Sequence, residues 1–165
     1  MSPTASELSY REIGAAGLDE IQSQWEQLKA HHVALSPQFG SAMSLRTFAA
    51  RKAELLAKAE SGKLRVEIAC AGPTGPCVAY CISTVSAEGA GEVDSLVVED
   101  SFRGQGIGTE LMRRALSWLD TMQVTAKVVT VLAENAAALA FYHRFGFHPR
   151  TVLLQEIRNE NTAEP

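Results

Sequence analysis

The amino-acid sequence predicts an α/β fold built on a mixed, mostly antiparallel sheet. Three observations carry that expectation. Apolar residues recur at helical spacing in two segments ahead of residue 62; β-branched runs joined by short Gly/Pro-containing links fill residues 64–98; and a glycine loop is followed by a helical pattern and a continuous apolar run. The middle runs read as antiparallel hairpins, and the last ones as a β-α-β unit joined to them. With 165 residues, 46% of them hydrophobic, the chain can bury the core of one domain. No internal repeat or linker divides it, so a single domain over residues 1–165 is expected.

Taken in order, "LSYREI" (8–13) is a short strand, and "GLDEIQSQWEQLKAHH" (17–32) is an amphipathic helix carried by Leu18, Ile21, Trp25 and Leu28. After the connection "ALSPQFGSAMS", a second helix, "LRTFAARKAELLAKAES" (45–61), has Ser44 as its expected N-cap and Gly62 as its stop. The strands "LRVEIAC" (64–70), "CVAYCISTV" (77–85) and "EVDSLVV" (92–98) come next. "TELMRRALSWLDTM" (109–122) turns Leu111, Met112, Ala115, Leu116 and Leu119 to one face, and "KVVTVLA" (127–133) has the unbroken apolar character of a strand buried on both faces. "NAAALAFYHRF" (135–145) is a last helix stopped by Gly146, and "TVLLQEI" (151–157) a last strand. The residues after 157 read as a frayed tail.

Composition narrows the function. A net charge of −4 and a pI near 5.6 speak against nucleic acid as a partner. No apolar run approaches the roughly 18 residues of a membrane span, and the N-terminal stretch combines no basic cluster with an apolar run, so a cytoplasmic protein without a membrane partner is expected. Cys70, Cys77 and Cys81 are odd in number and lack paired C-x-x-C spacing, which favours neither a disulfide framework nor zinc. His31 and His32 are adjacent, roughly 100° apart on a helix, which makes joint ligation awkward. No metal site is expected.

The glycine loop, "SFRGQGIGTEL" (101–111), sets Gly104, Gly106 and Gly108 at alternate positions behind Arg103. A strand ending at Val98, a tight loop and a helix beginning near Gly108 aim unpaired backbone N–H groups outward at the positive end of the helix dipole, which makes an anion site. Missing Cβ atoms let a phosphate come close, and Arg103 adds a charge-assisted donor. The loop is therefore read as a pyrophosphate cradle, with a plain glycine-rich turn as the alternative. The Walker A pattern fails because no Gly-Lys-Ser or Gly-Lys-Thr occurs. The dinucleotide fingerprint fits poorly, although Glu134 could stand for its ribose-binding acid: the spacing is G-x-G-x-G, and hairpins precede the loop.

These residues carry a resemblance. "VDSLVVEDSFRGQGIGTELM" resembles the acetyl-CoA-binding core of the GCN5-related N-acetyltransferase (GNAT) family, whose Arg/Gln-x-x-Gly-x-Gly/Ala loop is Arg103, Gly104, Gln105, Gly106, Ile107 and Gly108 here. "ENAAALAFYHRFGF" resembles the family's second signature through Asn135, Ala138, Tyr142, Gly146 and Phe147. The motifs cover about the C-terminal third, and the element order suits the family over nearly the whole chain. The resemblance implies helices on both faces of the sheet and a splayed parallel strand pair whose gap holds the pantetheine arm of acetyl-CoA. Leu96, Val97 and Val98 would line that gap. The N–H groups around Gln105, Gly106, Ile107, Gly108 and Thr109, with Arg103, would take the diphosphate. Asn135 would cap the last helix and could touch the cofactor.

Acetylating an amine requires a neutral amine, a polarised thioester carbonyl and a proton for the departing thiolate. The resemblance points to Glu92, acting through water, as the base. Asp94 is the nearby rival, and two solvated carboxylates are the alternative. An N–H of Val97 or Val98 would polarise the carbonyl, and Tyr142 would be the acid, unless it is simply a core aromatic. Direct transfer is expected over a ping-pong route through Cys81 or Cys70, since no basic partner is placed to activate a thiol. The expected acceptor is a small-molecule amine. Among residues of the first two helices and their connection, Trp25, His31, His32, Phe39, Met43 and Phe48 include candidates for its walls. A protein or peptide N-acetyltransferase and a non-catalytic acyl-CoA sensor are the alternatives. The resemblance also allows a homodimer.

Overall fold

A computed structural model describes residues 8–157. Strand β1 (Leu8–Glu12) leads through a 3-10 turn (Ala15–Ile21) into α1 (Gln22–Leu35), a short α2 (Gly40–Ser44) and α3 (Phe48–Ser61). Strands β2 (Lys63–Ala71), β3 (Cys77–Val85) and β4 (Ala90–Val98) follow, then α4 (Ile107–Thr121), β5 (Ala126–Val128) and α5 (Ala136–His143). The sheet runs β1-β2-β3-β4-β5 in space, antiparallel except for the parallel β4–β5 pair.

Alternation along the strands gives the sheet two apolar faces. On one, Leu18, Ile21, Trp25, Phe48 and Leu55 close over Val66, Ile68, Tyr80, Ile82 and Val97. On the other, Leu111, Met112, Ala115 and Leu119 of α4, with Tyr142 of α5, close over Ala69, Ala79, Cys81 and Val93. The helical stripe expected in residues 109–122 is thus the buried face of α4, with Leu116 partly buried.

Three local expectations are corrected. Ser44 does not cap the second helix: it ends α2, and the cap is Thr47, whose extended backbone lets its hydroxyl accept from the Ala50 N–H at 3.2 Å. The run 127–133 is not a strand buried on both faces. Only Ala126–Val128 pairs, and Val128 stays 43% exposed because, among the described residues, no strand lies beyond this edge. The segment 151–157 forms no strand. Val152, Leu153 and Leu154 are exposed, since strand-like side chains stabilise a sheet only against a neighbouring strand. The tail expected after residue 157 lies outside the described residues.

Candidate active site

The site is organised by what happens along β4. Its N-terminal residues pair with β5, Ala90 to Ala126 and Glu92 to Val128, and beyond Glu92 that pairing stops. β3 keeps its hold on the other edge as far as Val98. The β5-facing edge of Leu96, Val97 and Val98 is therefore left without a strand partner, and an open parallel pair results.

A bulge interrupts the β3–β4 register. Ile82 faces Ser95 and Ser83 faces Val93, so Asp94 has no partner across the ladder. The extra residue shifts the side-chain phase. Val93 packs toward α4, as do Leu96 and Val98, whereas Val97 turns to the opposite face. The three residues expected to line the gap are thus split between the two sides of the sheet.

At the C-terminal end of β4 the chain makes a 3-10 turn (Asp100–Phe102) and enters the glycine loop. Gly104 and Gly106 have φ of +76° and +82°, the left-handed region, and a Cβ at either would meet nothing within 4 Å. The protein interior does not demand these glycines for space; the loop conformation does, and it leaves the loop's outer surface bare. Gly106 is the N-cap of α4 and supplies no side-chain acceptor, so the first-turn N–H groups of Ile107, Gly108 and Thr109 lack partners within the helix. Ile107 itself is buried as an anchor. Arg103 donates through Nε to the Val98 carbonyl at 3.1 Å and pairs with Asp100 at 2.9 Å, which holds the loop against β4; Gln105 donates to the Ser101 carbonyl. Gly108 sits where a Cβ would touch Val98, Phe141 and Leu96, bringing the start of α4 onto the open pair.

Tyr142 reaches the same region from α5. Its ring lies edge-on to Phe141 (5.2 Å) and Phe147 (6.1 Å). Burial pushes its hydroxyl well above the ordinary phenol range, with Cys81 and Tyr80 nearby adding to the shift, so it is a proton holder. Asn135 caps α5, its side-chain oxygen accepting from the Ala138 N–H at 3.0 Å. Burial drives the Cys77 and Cys81 thiols up to about 12, which makes poor nucleophiles of them.

The acids lie at the bulge and share a face. Asp94 has a side chain only 3% exposed, ion-paired with Arg51 and with Lys58, while Glu92 accepts from Lys58 Nζ at 2.9 Å. Arg51 and Lys58, two helical turns apart on α3, were not among the residues singled out by sequence. Their spacing puts two cations on one helix face, but nothing local names β4 as the surface they meet. Trp25 and Phe48 pack together at 5.6 Å inside the core. Among the described residues no group of three or more His, Cys, Asp or Glu could hold a metal ion, and no helix is long and apolar enough to cross a membrane.

The sequence model of the acetyltransferase (GNAT) family matches residues 22–147. The chain belongs to that family. It is 31% identical over 77 residues to an uncharacterised N-acetyltransferase, MJ1207, of Methanocaldococcus jannaschii, a match covering 47% of this chain and 34% of the relative. It is 33% identical over 69 residues to another, YobR of Bacillus subtilis, covering 41% and 28%. The chain thus spans about a third of the length of these relatives. Among solved structures, a tetramutant of BH1408 from Bacillus halodurans superposes with a TM-score of 0.70 at 19% identity, covering 90% of this chain and 98% of that one. The aminoglycoside acetyltransferase meta-AAC0020 from an uncultured soil metagenomic sample, in complex with trehalose, gives 0.66 at 17%, covering 94% and 99%. AAC(6')-Iy with the bisubstrate analogue CoA-S-monomethyl-acetylneamine gives 0.61 at 18%, covering 92% and 99%. These likenesses establish the GNAT fold: a mostly antiparallel sheet, one parallel pair, and helices on both faces.

Proposed function

We propose that this GNAT domain transfers the acetyl group of acetyl-CoA directly to the primary amine of a small molecule. The observation that carries the reading is the junction of the unpaired β4 edge with the uncapped start of α4, where bare left-handed glycines leave backbone donors facing outward. Acetyl-CoA supplies the activated acyl group and the thiolate leaving group. The edge at Leu96–Val98 would hydrogen-bond its pantetheine arm, and the N–H groups of Gln105, Gly106, Ile107, Gly108 and Thr109 would take its diphosphate. Arg103 would add charge by turning from Asp100. Asn135 already has its structural task as a cap.

In this mechanism an N–H of Val97 or Val98 polarises the thioester carbonyl. Glu92 receives the amine proton through water, and Asp94 holds Arg51 in place beside it. Tyr142 donates a hydrogen bond to sulfur as its charge develops. A ternary complex is favoured because the buried thiols resist ionisation. The small-molecule acceptor is supported by the fold neighbours named as aminoglycoside acetyltransferases, one of them described with a neamine-derived bisubstrate.

The test is acceptor-dependent release of free thiol from acetyl-CoA across simple amines, amino acids, aminoglycosides and peptides. Release with at least one small amine is expected. Release with peptides alone would move the acceptor to protein, and release with none would leave an acyl-CoA sensor.

A further inference from the structure

The bulge end of β4 contains more charge than a base requires. Lys58 Nζ bridges Glu92 Oε2 and the Asp94 carboxylate, and Arg51 holds Asp94 from the other side, so two acids meet two cations. Glu92 and Lys58 are the open members of this set, with side chains 29% and 39% exposed; Asp94 and Arg51 are largely enclosed. Lys58 therefore stands at the solvent side of a seat whose floor is fixed.

The same place holds two polar atoms without partners. Tyr80 is completely buried, its hydroxyl feels the Arg51 charge and lies close to Ser95, yet neither Tyr80 Oη nor Ser95 Oγ completes a hydrogen bond of normal geometry. Ser95 is the residue next to the bulged Asp94. Buried hydroxyls left unpaired are costly, and these two lie next to each other beside the ion pairs without joining them.

We infer that Lys58 is a built-in competitor for the acceptor: its ammonium occupies the cation seat formed by Glu92 and Asp94, and an amine substrate binds by displacing it. A primary ammonium is what both the lysine and the acceptor bring, so the two are alternative occupants of one pair of carboxylates. Displacement also takes Lys58 off Glu92 Oε2, which has no other side-chain donor among the described residues, so arrival of the acceptor puts the ammonium to be deprotonated beside the base. The acceptor class that follows is one carrying an ammonium group, with polyamines and amino sugars favoured over uncharged amines. Arg51 does not take part in the exchange, since it is also held by Glu54 and stays on Asp94.

This inference rests on the proposed acceptor side of the site but not on turnover, so binding tests it. Calorimetry with sisomicin and with spermidine, on CoA-loaded protein, compares the parent chain with Lys58→Met, Lys58→Arg and Lys52→Met. Lys52 pairs with Asp19, away from β4, and controls for loss of one positive charge on α3. Lys58→Met should bind at least one probe about tenfold more tightly, the scale of the two ion pairs that Lys58 makes with Glu92 and Asp94; Lys58→Arg and Lys52→Met should stay within about twofold of the parent. Equal, weaker or undetectable binding by Lys58→Met overturns the proposal, as does an equal gain in Lys52→Met. A binding gain without any acceptor-dependent thiol release would keep the seat and refute the enzymatic reading; release with no gain would do the reverse.

Discussion

The two ends of β4 present different kinds of surface. At the C-terminal end the chain enters a loop whose surface is backbone: Gly104 and Gly106 adopt left-handed φ with open space where side chains would be, and α4 begins without a side-chain cap. At the bulge the surface is side chain, with Asp94 enclosed by Arg51 and Lys58 from a helix some 40 residues earlier. One end is generic, suited to a ligand that many related proteins share. The other is assembled from distant residues and is where individuality can enter. The comparison also separates the two acids, since Asp94 belongs to the fold and Glu92 to the opening.

The largest expected effect tests that separation. Asp94→Asn should lower stability by roughly 2 to 4 kcal/mol in urea unfolding, somewhat less than the ~3–5 kcal/mol usual for breaking a buried ion pair, because Arg51 keeps Glu54 and Lys58 keeps Glu92. Glu92→Gln should unfold nearly where the parent does. Equal destabilisation by both would dissolve the distinction between fixed floor and open rim.

Next in size is Tyr142→Phe, which keeps the ring and removes the donor. Turnover should fall by about 10²-fold with acetyl-CoA affinity nearly unchanged. Burial raises the phenol far above a thiol's ordinary pKa of about 8.5, so full proton transfer to a free thiolate is uphill and the proposed role of the hydroxyl is hydrogen bonding. Because the shift is upward, the donor persists as pH rises, and no loss of rate from its ionisation should appear up to about pH 10. The stability sign is the same: Tyr142 contributes fully below the unfolded phenol's pKa and the contribution is lost on going above it. Parental turnover, with chemistry shown to be rate-limiting, would make Tyr142 a core aromatic.

How much of this was readable from sequence follows the same division. The cradle is local: the glycines, Arg103 and the helix start lie within ten residues, and left-handed backbone is a property glycine advertises. The caps at Asn135 and the apolar face of α4 are likewise local. The Arg51 and Lys58 contacts depend on where α3 lands on the sheet, which no spacing along the chain encodes. Thr47 displaced Ser44 as cap because both residue types fit and only backbone geometry chooses between them. The runs at 127–133 and 151–157 have strand-like composition, but a strand needs a neighbour. β5 pairs over three residues, and the later segment pairs with nothing in the sheet.

The cradle end is probed by Gly106→Val. At φ +82° a β-branched residue is strained, so stability should drop by roughly 1 to 2 kcal/mol. Acetyl-CoA affinity, measured on the folded variant, should drop by about tenfold or more, because the side chain projects into space the protein leaves clear. Unchanged affinity would sink the cradle. Glu92→Gln, at the other end, should slow turnover by about tenfold near pH 6 and progressively less as pH approaches the acceptor amine's own pKa. A flat ratio across pH would assign the proton to bulk solvent.

The smallest effect asks where the backbone surface ends. Gly108 differs from its two neighbours in the motif: its φ is not left-handed, and a Cβ there would lie 3.5 Å from Val98, 3.6 Å from Phe141 and 3.7 Å from Leu96, all ordinary contacts. Alanine should therefore fit inward, against the protein, and not outward where a diphosphate would approach. Gly108→Ala is expected to hold acetyl-CoA affinity within about threefold while raising stability by up to about 1 kcal/mol, since alanine is the better helix former. Calorimetry and thermal unfolding on the same preparation separate the two readouts. A loss of affinity as deep as that of Gly106→Val would mean that the ligand presses on the first turn of α4 itself, and the boundary between backbone recognition and side-chain packing would move one turn into the helix.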